Sequence, residues 1–243
     1  MRTSIAGRRA LVTGAGSGIG RAIAVRLAEL GCRTVLVGRT QATLERTAEL
    51  CRQAAPGAEA LCLAADLTDE AQVRDRVIGE LVRTGGLDVL VNNAGIVQSG
   101  PIADVSTQEF DRVMATNVRG PFLLMRDALP MLVASGHGEV VNICSAVAHE
   151  GYPDQGVYAA SKHALLGLSK SYARENYQAG VRVHVVSPGG VLTEMIGNVR
   201  PDLVGTPMIV PDDVADAVEF LLCHRSDAVC DEIRLHRSGK APF

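Results

Sequence analysis

Tryptophan is absent from this sequence, and phenylalanine and tyrosine number four each. So few rings leave no material for a broad stacking platform. Six cysteines are present, at 32, 51, 62, 144, 223 and 230. None forms a C-x-x-C pair and no histidine cluster has zinc-ligand spacing, so no metal site is expected. They read as small buried hydrophobes in a reducing cytosol. Basic charge is not in excess: the net charge is −3 and the pI about 6.1. No positive field is therefore available to hold a phosphate backbone, which argues against a nucleic-acid partner. No apolar run reaches the roughly 18 residues of a membrane span. The opening "MRTSIAGRRALVTGAG" has no signal-peptide core, so a cytoplasmic location is expected.

What is present is a regular alternation of short apolar runs with longer amphipathic ones. Strands are expected at 9–13, 33–38, 59–66, 87–93, 138–145, 181–188 and 231–237. Helices are expected at 18–31, 43–54, 69–85, 106–134, 156–179 and 211–224. Ser106 with Glu109 forms a capping box for the long helix, and Pro211 suits the first position of the last. Such alternation implies βαβ units around a parallel sheet covered on both faces. The chain of 243 residues reads as one α/β, doubly wound domain of seven strands over 1–243. The Gly- and Pro-rich stretch 189–210 lacks periodicity and reads as a substrate loop or lid, because loops at the carboxyl ends of strands line the crevice.

"TGAGSGIG" at 13–20 joins the first strand to the first helix. Its glycines 14, 18 and 20 allow a tight turn, a close approach to a pyrophosphate and a helix start whose N–H groups face the anion. Ser17 and Ile19 lie in the same loop. After the second strand come Arg39 and Thr40, where NAD-preferring folds usually carry an acid. A guanidinium there suits a 2′-phosphate, which points to NADP(H). Asp66, followed by Leu67, could accept from an adenine amino group or cap the next helix, a role open also to Thr68 and Asp69. In "NNAG", Asn92 and Asn93 can tie strand ends through their amides, while Ala94 and Gly95 leave room for the adenosine ribose.

"YAASK" at 158–162 puts Tyr158 and Lys162 on one helical face. A free phenol has a pKa of about 10, so its phenolate is scarce at neutral pH. A nearby ammonium stabilises the phenolate, which is the tuning that acid–base catalysis needs. Lys162 could also bond the nicotinamide ribose. Ser145 ends the fifth strand and could donate to a substrate oxygen. Asn117, inside the long helix, could hold a water that passes protons toward Lys162. Each residue also has a plain structural reading: Ser145 as a cap, Asn117 as a buried amide bonded to backbone.

Taken in this order, "TGAGSGIG", Arg39, Asp66, "NNAG", Asn117, Ser145, "YAASK" and "SPGGVLTEM" (187–195) resemble the short-chain dehydrogenase/reductase family over essentially the whole chain. The resemblance implies a Rossmann-type sheet ordered 3-2-1-4-5-6-7 and an Asn117–Ser145–Tyr158–Lys162 tetrad. It implies pro-S hydride transfer at C4 of the nicotinamide. Pro188, Gly189 and Val191 would flank that ring, and Thr193 would touch the carboxamide or diphosphate. It further implies a dimer or tetramer built on the helices at 106–134 and 156–179.

The sequence departs from the family twice. Around the serine it reads Cys144-Ser145-Ala146-Val147-Ala148, without the usual glycine, and it ends in "VCDEIRLHRSGKAPF" rather than in a Thr-Gly-rich stretch. The function expected is NADP(H)-dependent interconversion of a ketone and a secondary alcohol. A catalytically silent NADP(H)-binding regulator, or an epimerase or dehalogenase on the same tetrad, are the alternatives. Val97, Ala146, Val147, His149, Tyr152, Ile196 and the 197–209 loop would line a partly apolar substrate pocket, with His149 facing either substrate or solvent.

Overall fold

The computed structural model describes residues 3–199, 205–224 and 227–240. Strands β1 (Arg9–Thr13), β2 (Arg33–Gly38), β3 (Ala60–Ala64), β4 (Val89–Asn92), β5 (Glu139–Ile143), β6 (Arg182–Pro188) and β7 (Glu232–Leu235) form one sheet. Its order is 3-2-1-4-5-6-7, and every neighbouring pair is parallel. The expected strands all form, several trimmed at their ends.

Helices α1 (Gly18–Glu29), α2 (Gln41–Ala54) and α7 (Pro211–Cys223) cover one face. Ile23, Leu27, Leu44, Val214 and Leu222 fill the core between them and the sheet. The other face carries α3 (residues 70–83), α4 (residues 107–134) and α5 (Gly156–Asn176), packed through Val73, Leu81, Leu123, Leu132 and Tyr172. With both faces covered, central strands such as "ALV" of β1 are apolar on each side and fully buried.

Two helices are less regular than their sequence pattern predicts. Helix α3 runs through Glu70–Gln72, a π-helical stretch Val73–Ile78 and Gly79–Arg83. Helix α4 runs through Thr107–Met114, a π-helical stretch Ala115–Arg119 and Gly120–Ala134. In α4 the cause is in the sequence. Pro121 has no N–H to give to the carbonyl four residues back, that of Asn117, and its ring crowds that carbonyl. The turn widens instead, and Gly120 donates to the carbonyl of Ala115. The irregular turn therefore falls on the helix residue singled out from the sequence.

The segment expected to be aperiodic is partly ordered. It contains a short helix α6 (Glu194–Val199), and Val191 forms an isolated parallel bridge with Ile209, so the far end of the stretch folds back onto the residues just past β6. Residues 200–204 of the proposed lid lie outside the described residues.

Candidate active site

The carboxyl ends of β1, β4, β5 and β6 meet at one edge of the sheet, and side chains tie them together. Thr13, at the end of β1, accepts from the backbone N–H of Asn93 and of Ala94, each at 2.9 Å, and donates to the carbonyl of Val91. The amide of Asn93 returns to the carbonyl of Thr13 at 2.9 Å. Asn92 donates to Asn142 of β5, which donates to Ser169 of α5. The two asparagines thus act as the strand-end ties expected of them. Sequence reasoning missed Thr13, although a hydroxyl at the last position before a glycine loop is a readable sign.

The glycine loop is shaped as a cradle. Gly14 and Gly18 have φ of +64° and +51°, a region that favours glycine. A side-chain carbon on Gly20 would lie 2.3 Å from the carbonyl oxygen of Gly14 and 2.5 Å from the Asn93 amide. Ser17 is exposed and makes no side-chain cap, and Ile19 packs against the core. A side-chain carbon on Gly18 would lie 3.2 Å from Cγ2 of Thr193, so the segment after β6 passes close to the glycine loop. Thr47, also missed, holds the loop from beneath by donating to the carbonyl of Ala15 at 2.9 Å.

Arg39 and Thr40 lie exposed just past β2, and Arg39 makes no polar contact among the described residues. Asp66 accepts from both the N–H and the hydroxyl of Thr68, at 2.9 and 2.8 Å. The helix cap is Asp69, which accepts from Ala71 and Gln72, so that open choice resolves to Asp69. Leu67 is buried and belongs to the core. Val191 likewise belongs to the core. If these two meet a ligand, they do so through their backbone.

Asn117, Tyr158 and Lys162 lie close together beside the end of β5, the strand that Ser145 follows. Lys162 is buried, and its ammonium donates to the carbonyl of Ile143 at 2.9 Å. It lies 5.8 Å from the centre of the Tyr158 ring. Gly95 sits between Asn117 and Lys162: a side-chain carbon there would lie 3.3 Å from Asn117 Oδ1 and 3.5 Å from Lys162 Nζ. Asn117 accepts from the N–H of Ile96 and donates to its carbonyl, both at 2.8 Å, and donates to Ser161 at 3.0 Å. Its amide is fully engaged with protein, so a water relay would have to use its main-chain carbonyl. Ser145 opens a short 3₁₀ turn, Ala146–Ala148, and accepts from Val147 at 3.4 Å. That turn packs on α5. Burial pushes the adjacent Cys144 thiol up to about 11, which keeps it protonated and unreactive at neutral pH.

Residues 8–204 match the family described as short chain dehydrogenase. The chain is 39% identical to levodione reductase of Leifsonia aquatica over 81% of its own length and 74% of that protein's. It is 39% identical to 2-(R)-hydroxypropyl-CoM dehydrogenase of Xanthobacter autotrophicus, covering 88% of this chain and 90% of that one. A metagenomic short-chain oxidoreductase solved in complex with NADP superposes with a TM-score of 0.85 at 34% identity, over 97% of this chain and all of that one.

The chain belongs to the short-chain dehydrogenase family. It is an oxidoreductase of that family by both sequence and architecture. Within the family frame, the expected substrate wall is only partly open. Val147 is buried. His149 faces neither substrate nor solvent alone, because its ring bonds Glu232 at 2.7 Å. Tyr152 accepts from Lys240 at 2.7 Å.

Proposed function

We propose that this protein binds NADP(H) along the carboxyl edge of the sheet and interconverts a small ketone and its secondary alcohol. Support for the dinucleotide comes from the loop at Gly14, Gly18 and Gly20, where positive φ at the first two and the close approach of Gly20 to Gly14 and Asn93 make a tight turn into the start of α1. The open N–H groups at the start of α1 point to an anion. Arg39, exposed and without a partner among the described residues, suits a 2′-phosphate. Asp66 and the turn at Ala94–Gly95 would take the adenosine end. Pro188, Gly189 and Thr193 would take the nicotinamide end.

Bound there, the nicotinamide supplies a hydride to a carbonyl carbon or takes one from an alcohol. The chain's own residues handle the oxygen. Tyr158 gives its hydroxyl proton to the developing alkoxide in reduction and takes it back in oxidation. Ser145 donates a hydrogen bond to that oxygen. Lys162 brings a positive charge near the phenol, which favours its ionised form during the exchange. The carbonyl of Asn117, deprived of its helical donor by Pro121, is the natural acceptor for a water leading protons away. The observation that carries the reading is the buried Lys162 ammonium, anchored to Ile143 and set 5.8 Å from the Tyr158 ring. A merely structural lysine would be expected to reach solvent.

We also assign the segment 189–210 the role of a lid, since Thr193 lies where a side chain on Gly18 would reach, and Leu192 and Ile209 are joined through their backbone. A second copy of the chain would pack on α4 and α5. There a groove of about 1110 Å³ includes Ala115, Ala164 and Gly167, small residues that allow helices to approach closely, beside the exposed Phe122 ring and the charged Asp111 and Arg112. All six thiols are free, which fits a reducing, cytoplasmic setting.

The test is a panel of ketones and secondary alcohols with NADPH and NADH side by side, run on the wild type and on Tyr158→Phe. Turnover that falls by about 10² to 10⁴ in the variant supports the assignment. Tight NADPH binding with no turnover across the panel would make the protein a nucleotide-responsive regulator instead.

A further inference from the structure

The two departures from the family pattern, at the serine loop and at the C-terminus, meet in space. His149 follows directly on the 3₁₀ turn that Ser145 opens. Its Nε2 lies 2.7 Å from Oε1 of Glu232, the first residue of β7. Ser187 donates its hydroxyl to the same oxygen at 2.9 Å, and sits 3.4 Å from His149 Nε2. A carboxylate oxygen only accepts, so its partner dictates that Nε2 of His149 carries a proton. Ser187 is buried and is the residue before Pro188.

One carboxylate oxygen thus joins three segments. These are the wall leaving Ser145, the end of β6 that opens into the nicotinamide-side loop, and β7. Backbone pairing strengthens the last junction, since Gly189 donates to the carbonyl of Leu235 at 2.8 Å. The tail adds a second tie. Lys240 donates to the Tyr152 hydroxyl at 2.7 Å and lies 3.3 Å from Glu150. The two ties differ in weight. The Lys240 and Glu150 side chains are 40% and 52% exposed, whereas those of His149 and Glu232 are 16% and 23% exposed. Solvent weakens the first pair, while the shielded pair keeps the strength of a charge-assisted hydrogen bond.

We infer that Glu232 is a positioning residue, which fixes the Ser145 wall against the nicotinamide-side loop and so sets how a substrate carbonyl sits between them. It acts through His149 and Ser187, not on the substrate. The inference rests on the alcohol–ketone reading for its kinetic consequence, and on geometry alone for its structural one.

The test compares full-length Glu232→Ala and Glu232→Gln with the wild type. The glutamine keeps a carbonyl oxygen able to accept from both His149 and Ser187; alanine keeps none. For the best substrate of the panel, Glu232→Ala should lower kcat/KM by about 10-fold or more, since small misplacements near the reacting atoms have large effects. Its NADPH affinity should stay within about twofold, and Glu232→Gln should recover most of the loss. Deuterium exchange of the amides of 146–152 should rise in Glu232→Ala, with that of α5 unchanged. Wild-type kcat/KM in the alanine variant, or exchange that rises over the whole chain, overturns the inference. Should the wild type turn over no panel member, the alcohol–ketone reading fails by itself. The exchange comparison still decides the matter: unchanged protection of 146–152 overturns the role of Glu232.

Discussion

Asn117 holds Ile96 by both ends of its amide, accepting from its N–H and donating to its carbonyl at 2.8 Å each. The side chain copies a strand partner for a segment that has left the sheet. It fixes the path of 95–97 beside Lys162, and a third bond to Ser161 ties the same amide to α5.

Replacing Asn117 by alanine removes all three bonds. Each group left unsatisfied costs about 1–3 kcal/mol. The Ile96 groups are only partly buried and can bond water instead, so we expect Asn117→Ala to lose about 2–4 kcal/mol of stability, with a fall in turnover exceeding the fall in NADPH affinity. Urea unfolding and steady-state kinetics measure the two effects. A variant as stable and as active as wild type would remove Asn117 from the site.

The glycine loop tolerates no added carbon at position 20. The nearest neighbour of that carbon would be the backbone oxygen of Gly14, at 2.3 Å, which cannot swing aside as a side-chain tip could. Gly20→Ala should destabilise the fold by about 1–3 kcal/mol and weaken NADPH binding more than tenfold. Thermal unfolding and a fluorescence titration of the cofactor check the two parts.

Arg39 should decide between the two dinucleotides. Hydrogen bonds to a charged group contribute about 1.5–3 kcal/mol, or roughly 10- to 100-fold in affinity. Arg39→Ala should therefore lower kcat/KM with NADPH by that factor and leave the value with NADH nearly unchanged. Equal losses with both cofactors would mean the guanidinium meets something other than a 2′-phosphate.

His184 sets a pH limit on stability. It is 2% exposed, and its Nδ1 lies 2.7 Å from the carbonyl of Cys230, so the neutral ring donates there. Burial holds its pKa below the ordinary 6.5. The unfolded chain therefore takes up a proton near pH 6.5 that the folded chain refuses. Stability is full above that value and declines as pH falls below it, toward the folded-state value. Carboxylates such as Glu109, lowered by its hydrogen bonds with Arg112, act below about 4.5. The melting temperature should drop between about pH 7.5 and pH 5.5, and His184→Asn should flatten that part of the curve while lowering stability overall. A wild-type melting temperature that is flat over this interval would contradict the assignment.

Much of the architecture could be read before any coordinates. The apolar runs "ALV", "VLV" and "VVNI" have the length and bareness of strands buried on both faces, and the intervening patterns repeat at helical spacing. Tyr158 and Lys162 share a face because a helix brings residues four apart together, and the glycines of 14–20 announce a backbone that must bend where side chains would clash. These are local properties, fixed by residue geometry and solvation, and they were sufficient to give the number of strands, helix placement and the Tyr158–Lys162 pair, whereas the strand order came only from the family resemblance.

The tertiary structure alone decided where distant polar groups meet. It assigned the cap to Asp69 rather than Asp66, turned Leu67 into the core, closed both ends of the Asn117 amide on Ile96 and brought Glu232 to His149 across the last strand. The sign for the wide turn in α4 was legible in Pro121, but its effect on Asn117 depends on which carbonyl loses its donor. Contacts between residues 83 apart, as between His149 and Glu232, leave no periodicity to read. They follow from strand order and register, which exist only once the sheet has been assembled.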